Sequence, residues 1–308
     1  MISTISFHKA PEKQNPVFSI LIPTWNNLDY VKCCVESIRK NSTYPHQIIL
    51  HVNEGKDGTL EWVQRQGLSY SYSAANVGVC YGFNAPAVLA TSDYLVLSDD
   101  DFYFTPGWDD SLYKEIKKLD HIYFCIAGTM IEHTATTNRC AIAPFDFGKT
   151  VKDFDEKRLL LEYPSIPFPD WSGGNWYPMV LHKSIWQLIG GLSVEFSPGM
   201  GSDPDMMIKL WHSGVRFYKG VSASRVYHFG SKTTDRIKKN NGYNQFLLKW
   251  GLSNSTFFKL FLRQGTTFHG YTDNPPRTGE VKVKLLKDAV KRVLASFRNN
   301  ARSVFGIR

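Results

Sequence analysis

Through the first 130 residues, short apolar runs alternate with segments of helical period. Val17–Ile22 reads as a strand and runs directly into a turn cluster, Pro23-Thr24-Trp25-Asn26-Asn27. Leu28, Val31, Val35 and Ile38 then recur at steps of three and four, which predicts a helix with one buried stripe. Ile48–Val52 is a second strand-like run, ending in the polar segment Asn53-Glu54-Gly55-Lys56-Asp57-Gly58. A short helix over 59–66, a short strand Tyr70–Tyr72 and a helix over about 79–90 lead to a fourth strand, Tyr94–Leu97. Trp108, Leu112, Ile116 and Leu119 mark another helix, and Ile122–Ala127 another strand. This alternation predicts an α/β fold, a Rossmann-like and mostly parallel sheet flanked by helices. Such sheets bind ligands beyond the carboxyl ends of their strands. Polar clusters fall there: Thr24 to Asn27, Asn53 to Asp57, and Ser98 to Asp101.

From about 131 to 170 the pattern is irregular and interrupted by Pro144, Pro164, Pro167 and Pro169. Order returns at Trp171–Leu181, followed by a helix near 183–189, a Gly190-Gly191 break and a helix over about 203–213. Val215–Tyr218 and Arg225–Phe229 read as two strands, and a last helix over 281–297 stacks Leu286, Val290, Val293 and Phe297 on one side.

Composition narrows the class. With 43% hydrophobic and 14% aromatic residues in 308, the chain can bury a substantial core. Five cysteines, none in a C-x-x-C spacing, predict neither a zinc site nor a disulfide framework and fit a reducing, cytoplasmic setting. Met1–Pro16 has no apolar stretch of the secretory kind, and no run approaches the length of a membrane span. The net charge of +8 is uneven: residues 280–308 hold eight Lys/Arg against Glu280 and Asp288, a net of +6, leaving +2 for the rest. A nucleic-acid protein would spread basic and aromatic residues along its binding face, so that class is not expected.

The acidic turn Ser98-Asp99-Asp100-Asp101 carries the first sign of chemistry. Three adjacent carboxylates repel one another unless a positive partner joins them, and a hard divalent cation with oxygen ligands is one such partner. A solvated acidic loop is the other reading.

With these residues in view the chain resembles glycosyltransferase family 2, inverting enzymes of GT-A fold that use nucleotide-diphosphate sugars. Phe18-Ser19-Ile20-Leu21-Ile22-Pro23-Thr24-Trp25-Asn26 is similar to the family's first nucleotide-binding segment, and Asn53-Glu54-Gly55-Lys56-Asp57-Gly58-Thr59 to its second. Asn53 falls where an aspartate usually meets the base; a carboxamide both accepts and donates, which leaves the base open. Asn76-Val77-Gly78 and Asn84 resemble the family's Asn-x-Gly…Asn segment, and Asp99-Asp100-Asp101 its DXD motif. Gly78 reads either as a point of close approach to the nucleotide or as a helix-start glycine. Ser172-Gly173-Gly174, Gly190-Gly191-Leu192, Gly201-Ser202-Asp203-Pro204-Asp205 and Val226-Tyr227-His228 follow the family's acceptor-side order, with Ser202 in place of a glutamate.

The resemblance implies a catalytic domain over 1–230, with a nucleotide-sugar half over about 17–130 and an acceptor half over about 131–230. A C-terminal helical extension with a basic amphipathic tail fills 231–308. It implies Mn²⁺ or Mg²⁺ at Asp99, Asp101 and His228, Asp203 as catalytic base with Asp205 second, and single-displacement inversion. The donor side is expected to comprise Pro23, Thr24, Trp25, Asn53, Asn76, Gly78, Asn84, Asp99 and Asp100, and the helix N-terminus to favour ionised Asp203. Gly173 and Gly174, with Trp171, Trp176 and Tyr177 around them, either stack on sugar rings or pack the core. Lys232 and Arg236 are placed to cover a diphosphate or to sit in solvent. The expected partners are a nucleotide-diphosphate sugar (UDP first, then GDP or dTDP) and a glycan or lipid-linked glycan acceptor in surface polysaccharide assembly. Residues 280–308 read either as a helix packed on the catalytic domain or as a contact with the inner face of the cytoplasmic membrane. A nucleotidyltransferase would carry a Gly-rich, basic loop after the first strand, which Pro23–Asn27 lacks; a degenerate, sugar- or partner-binding relative is the non-enzymatic alternative.

Overall fold

A computed structural model describes residues 4–11, 15–231, 236 and 238–304. The chain begins with β1 (Ile5–His8), β2 (Phe18–Trp25), α1 (Leu28–Asn41), β3 (His46–Asn53), α2 (Thr59–Arg65), β4 (Ser69–Ser73), α3 (Gly78–Ala87) and β5 (Tyr94–Leu97). Strands β4, β3, β2 and β5 lie side by side and parallel. Because helices cover both faces of these strands, Ile20, Leu21 and Ile22 are all fully buried, and the run carries no alternation. The stripe expected on α1 is real: Val31, Cys34, Val35 and Ile38 are buried on it. Each such side chain contributes ~1.5–3 kcal/mol on leaving water.

Beyond β5 the pattern changes. There follow β6 (Phe102–Phe104), α4 (Trp108–Lys117), β7 (Phe124–Glu132), β8 (Ala141–Ile142), α5 (Glu156–Glu162), β9 (Trp171–Ser172) and β10 (Met179–His182). Then come α6 (Lys183–Leu188), α7 (Ser202–His212) and β11 (Phe217–His228). The sheet runs β1-β4-β3-β2-β5-β10-β7-β11-β6, and β10 is antiparallel to both of its neighbours. Among the described residues, five strand pairings are parallel and five antiparallel, so the sheet is mixed and its parallel character is concentrated in the first part. The two strands expected at 215–218 and 225–229 are one, β11, whose register against β7 shifts between Gly220 and Arg225. Strands β1 and β6 and helix α5 were not expected; β1 is an edge strand whose exposed residues give no apolar signal.

The two largest apolar cores among the described residues lie against the sheet. Phe18, Trp108 and Leu112 anchor one, and Leu97, Met207, Trp211 and Phe257 the other. The second takes in the C-terminal extension: α8 (Gly242–Trp250) and α9 (Asn254–Leu260) pack beside α7, and α10 (Gly279–Val304) lies on them. The five cysteines are free. No helix among the described residues is long and apolar enough to cross a membrane.

Candidate active site

The carboxyl ends of β2, β3 and β5, the start of α7 and the end of β11 surround one cleft of about 500 Å³. From the first part of the chain come Pro23, Thr24 and Trp25, which continue β2 rather than turning away from it, then Asn53, Asn76 and Gly78. The acidic turn contributes Asp99, Asp100 and Asp101, and the later chain contributes Trp176, Tyr177, Asp203 and His228.

The sheet explains how Asp101 meets His228. Strand β6 starts at Phe102, directly after the acidic turn, and pairs with β11 so that Phe102 faces His228. On the other side β11 runs parallel to β7 and sets His228 beside Glu132. Asp101 Oδ2 thus stands 3.6 Å from His228 Nε2, while His228 Nδ1 lies 3.3 Å from Glu132. The backbone N–H of Ser231 donates to the same Asp101 oxygen at 2.6 Å. Burial opposes charge on Asp101, but His228 and Ser231 more than offset it and hold its carboxyl below the usual range. Burial likewise works against protonated His228, yet Asp101 and Glu132 outweigh it and raise the imidazole to about 10. Asp99 is different. Loss of solvent in the cleft and the Asp101 charge push it well above the usual range, against the pull of His228. Asp100 rises to about 7 for the same first two reasons, against the pull of Thr24 and Asn27, whose Nδ2 donates to it at 3.0 Å.

Across the cleft, Asp203 sits in the first turn of α7, which opens at Gly201 with a φ of +91°. The Tyr177 hydroxyl donates to its Oδ1 at 2.9 Å. Burial raises its carboxyl above the usual range, with Tyr177 and Ser202 opposing. This reverses the expectation that the helix N-terminus would dominate: desolvation wins. Ser202, in the glutamate position, is buried and donates to the Gly199 carbonyl at 2.7 Å. Asp205 is excluded from the cleft. It is fully buried, 2.7 Å from Lys249 Nζ, with Ser193 and Trp250 Nε1 also donating to it.

Four expected residues are not brought to the cleft. Asn84 exchanges two 2.8 Å hydrogen bonds with the backbone of Leu192, tying α3 to the segment after α6. Trp171 is 1% exposed, donates to Thr129 Oγ1 and covers Gly220, where a Cβ would fall 1.8 Å from the indole. Gly173 and Gly174 have positive φ, and a Cβ on Gly174 would meet the Cys125 carbonyl at 2.7 Å, so they serve close backbone packing. Gly78 resolves similarly, with φ +81° and room only for hydrogen against Pro198. Arg236 covers the Trp25 ring at 4.4 Å and donates to its carbonyl; Lys232, Phe305 and Ile307 lie outside the described residues. Glu132 and Asn175 also line the cleft and were not expected. Glu132 lies just past an apolar run that Gly128 seemed to end, and only strand pairing brings it to His228.

Among the described residues, no three His, Cys, Asp or Glu side chains are arranged to hold a metal. Asp101 and His228 stand 3.6 Å apart, and Asp99 lies in the same cleft. The donor chemistry still fits a divalent cation at Asp101 and His228. Such ions are commonly held by one or two side chains, with phosphate and water completing the shell.

Comparison with known proteins identifies the fold and the family. A fold relative is S. aureus TarS 1–349, with a TM-score of 0.53 at 13% identity over 93% of this chain and 74% of that one. Another is GalNAc-T7, solved with UDP, GalNAc and Mn²⁺, with a TM-score of 0.55 at 14% identity over 79% of this chain and 50% of that one. Both show the GT-A fold. YwdF of Bacillus subtilis (strain 168), an uncharacterised glycosyltransferase, is 26% identical over 170 residues, 54% of this chain and 60% of that protein, so the match spans less than two thirds of its length. The family model for glycosyl transferase family 2 matches residues 19–188, more than half of the chain, and with the mixed GT-A sheet beneath the cleft this chain belongs to glycosyltransferase family 2.

Proposed function

We propose that the protein is an inverting glycosyltransferase that moves a sugar from a nucleotide-diphosphate sugar to a hydroxyl of a glycan or lipid-linked glycan. The observation that carries this reading is the opposition, within one cleft, of Asp203 to the Asp101–His228 pair. The donor lies over residues from the 17–130 half and the acceptor over those from 131–230. A weakly nucleophilic hydroxyl needs a carboxylate within reach to take its proton, and Asp203 supplies it. Its raised pKa brings it nearer the working pH, and Tyr177 holds one of its oxygens at the cleft. One base and one displacement suffice, since no second carboxylate is needed for a covalent intermediate. Trp176, 38% exposed at the rim, offers an indole face to a sugar ring. Bound at Asp101 and His228, Mn²⁺ or Mg²⁺ would supply charge to offset that of the leaving diphosphate, as the Mn²⁺ complex of GalNAc-T7 encourages.

The acceptor proposal includes a membrane surface. On α10, Val283, Leu286, Val290, Val293 and Phe297 recur at steps of three and four and are 51–70% exposed. The opposite face, with Asp288 accepting from Ser253 N and Oγ, is bound to α9. Lys282 and Lys287 flank the apolar stripe, so two copies packed along it would oppose lysine to lysine. An anionic bilayer meets both the stripe and its charge, which would place the enzyme at the inner face of the cytoplasmic membrane and favour a lipid-linked acceptor in surface polysaccharide assembly.

Transfer and donor hydrolysis with a panel of nucleotide sugars, with and without Mn²⁺, test the central reading. Turnover of at least one donor, lost in Asp203→Asn, is expected. Absence of any nucleotide binding sinks the reading, and wild-type turnover in Asp203→Asn removes the base.

A further inference from the structure

Pro198, Gly199 and Met200 form the piece of cleft wall that leads into Asp203. Their three successive carbonyls are held by three different parts of the chain. Pro198 accepts from the backbone N–H of Val79 in α3 at 2.9 Å. Gly199 accepts from the N–H and the hydroxyl of Ser202, in the first turn of α7, at 3.1 and 2.7 Å. Met200 is held from the C-terminal extension. Asn240 Nδ2 donates to its carbonyl at 3.0 Å, and the Met200 N–H donates to Asn240 Oδ1 at 3.0 Å. One of these backbone groups only accepts and the other only donates, so a single orientation of the amide satisfies both. Gln245 of α8 supports it, with Oε1 accepting from Asn240 Nδ2 at 2.7 Å and Nε2 donating to the Glu195 carbonyl at 3.1 Å.

The same two segments also touch backbone to backbone. A Cβ on Gly242, at the start of α8, would fall 1.6 Å from the Met200 carbonyl oxygen, and one on Gly201 would fall 2.8 Å from the Gly242 oxygen. The two glycines let α8 lie directly on the turn that opens α7. Further along α8, Lys249 and Trp250 bond Asp205 in that first turn. The extension thus grips the chain at residues 200 and 205, with Asp203 between them.

On the reading that Asp203 is the catalytic base, we propose that Asn240 is a positioning residue for the reaction. It fixes the wall at Met200 and so sets where the Asp203 carboxylate stands against the incoming hydroxyl. Asn240 does not line the cleft, and it acts through Met200 alone. The extension is thereby part of the catalytic unit, not an appendage to a domain ending at residue 230. Without Asn240, both backbone groups of Met200 lose that partner, while the bond from Val79 to Pro198 keeps the donor side of the wall in place. A displacement of about 1 Å at a reacting group can cost on the order of 10²-fold in rate.

Asn240→Ala in the full chain tests this with whichever donor of the nucleotide-sugar panel the wild type turns over. The kcat should fall at least about tenfold and donor KM should stay within about twofold, the split expected when reaction geometry and not ground-state binding is lost. Isothermal titration in Mn²⁺ with the matching nucleoside diphosphate should give the wild-type Kd at full stoichiometry, which a partly unfolded sample would not. If Asn240→Ala shows no cooperative thermal transition, the nearly isosteric Asn240→Asp takes its place. It keeps the bond from the Met200 N–H, sets a carboxylate against the Met200 carbonyl, and should show the same split. A kcat lowered less than about tenfold in the folded variant overturns the inference and leaves the donor reading standing. Weaker nucleotide binding or reduced stoichiometry alongside the fall also overturns it, because either marks a general loosening. If the wild type turns over no donor, the reading of the cleft falls and takes this inference with it.

Discussion

The Tyr177 hydroxyl donates a 2.9 Å hydrogen bond to Asp203, and the same tyrosine lies within the field of Asp99. It thus touches the proposed base while sensing the acidic turn. Removing that bond in Tyr177→Phe destabilises the carboxylate relative to the acid. The Asp203 pKa then rises further, and the acidic limb of the kcat/KM profile moves to higher pH. Activity should recover as pH increases, because the group is needed deprotonated. A profile superimposable on the wild type would show that Asp203 does not set the limb. Asp203→Asn should lower turnover by roughly 10²–10⁴ at every pH.

Glu132 aligns the ring of His228 from the side opposite Asp101. Partners of this kind typically change metal affinity by about 10–100-fold. Glu132→Gln should weaken Mn²⁺-dependent nucleotide binding on that scale while binding measured without metal stays the same. Titration of Mn²⁺ at fixed nucleotide reads the effect.

Asp205 shares a buried network with Lys249 and Trp250 of α8, joining α7 to the C-terminal extension. Asp205→Ala leaves Lys249 without its buried counter-charge and Trp250 without an acceptor. A loss of ~3–5 kcal/mol in urea-unfolding stability is expected. A loss below ~1 kcal/mol, the scale of an exposed ion pair, would show that solvent already screens the network.

Leu286 and Val290 are 65% and 54% exposed, so replacing them costs the fold little. The double variant Leu286→Glu, Val290→Glu should cease to float with vesicles containing anionic lipid, with thermal stability near that of the wild type. Undiminished flotation would place any membrane contact elsewhere.

What the sequence made legible was whatever depends on local pattern. The buried stripe of α1, the continuous apolar run of β2 and the acidic turn after β5 announce themselves through period and position. Asp203 was legible only through the order of motifs. Trp171 illustrates the limit: a tryptophan beside two glycines reads equally as a sugar platform or as packing, and only the approach of Gly220 decides it. Glu132 was out of reach, because its neighbour His228 is brought to it only by strand pairing. Strand β6, three residues long after a charged turn, offered no period to detect.

Strand β10 fills the gap between β5 and β7, although it lies more than eighty residues after β5 in the chain. During synthesis, β2 to β5 must therefore wait with β5 as an open edge until residue 182 has emerged. Neither half of the cleft can mature first, and long-range closure of this kind is intrinsically slow. A chain cut near residue 130 would keep a bare, apolar β5 edge and should self-associate rather than bind nucleotide.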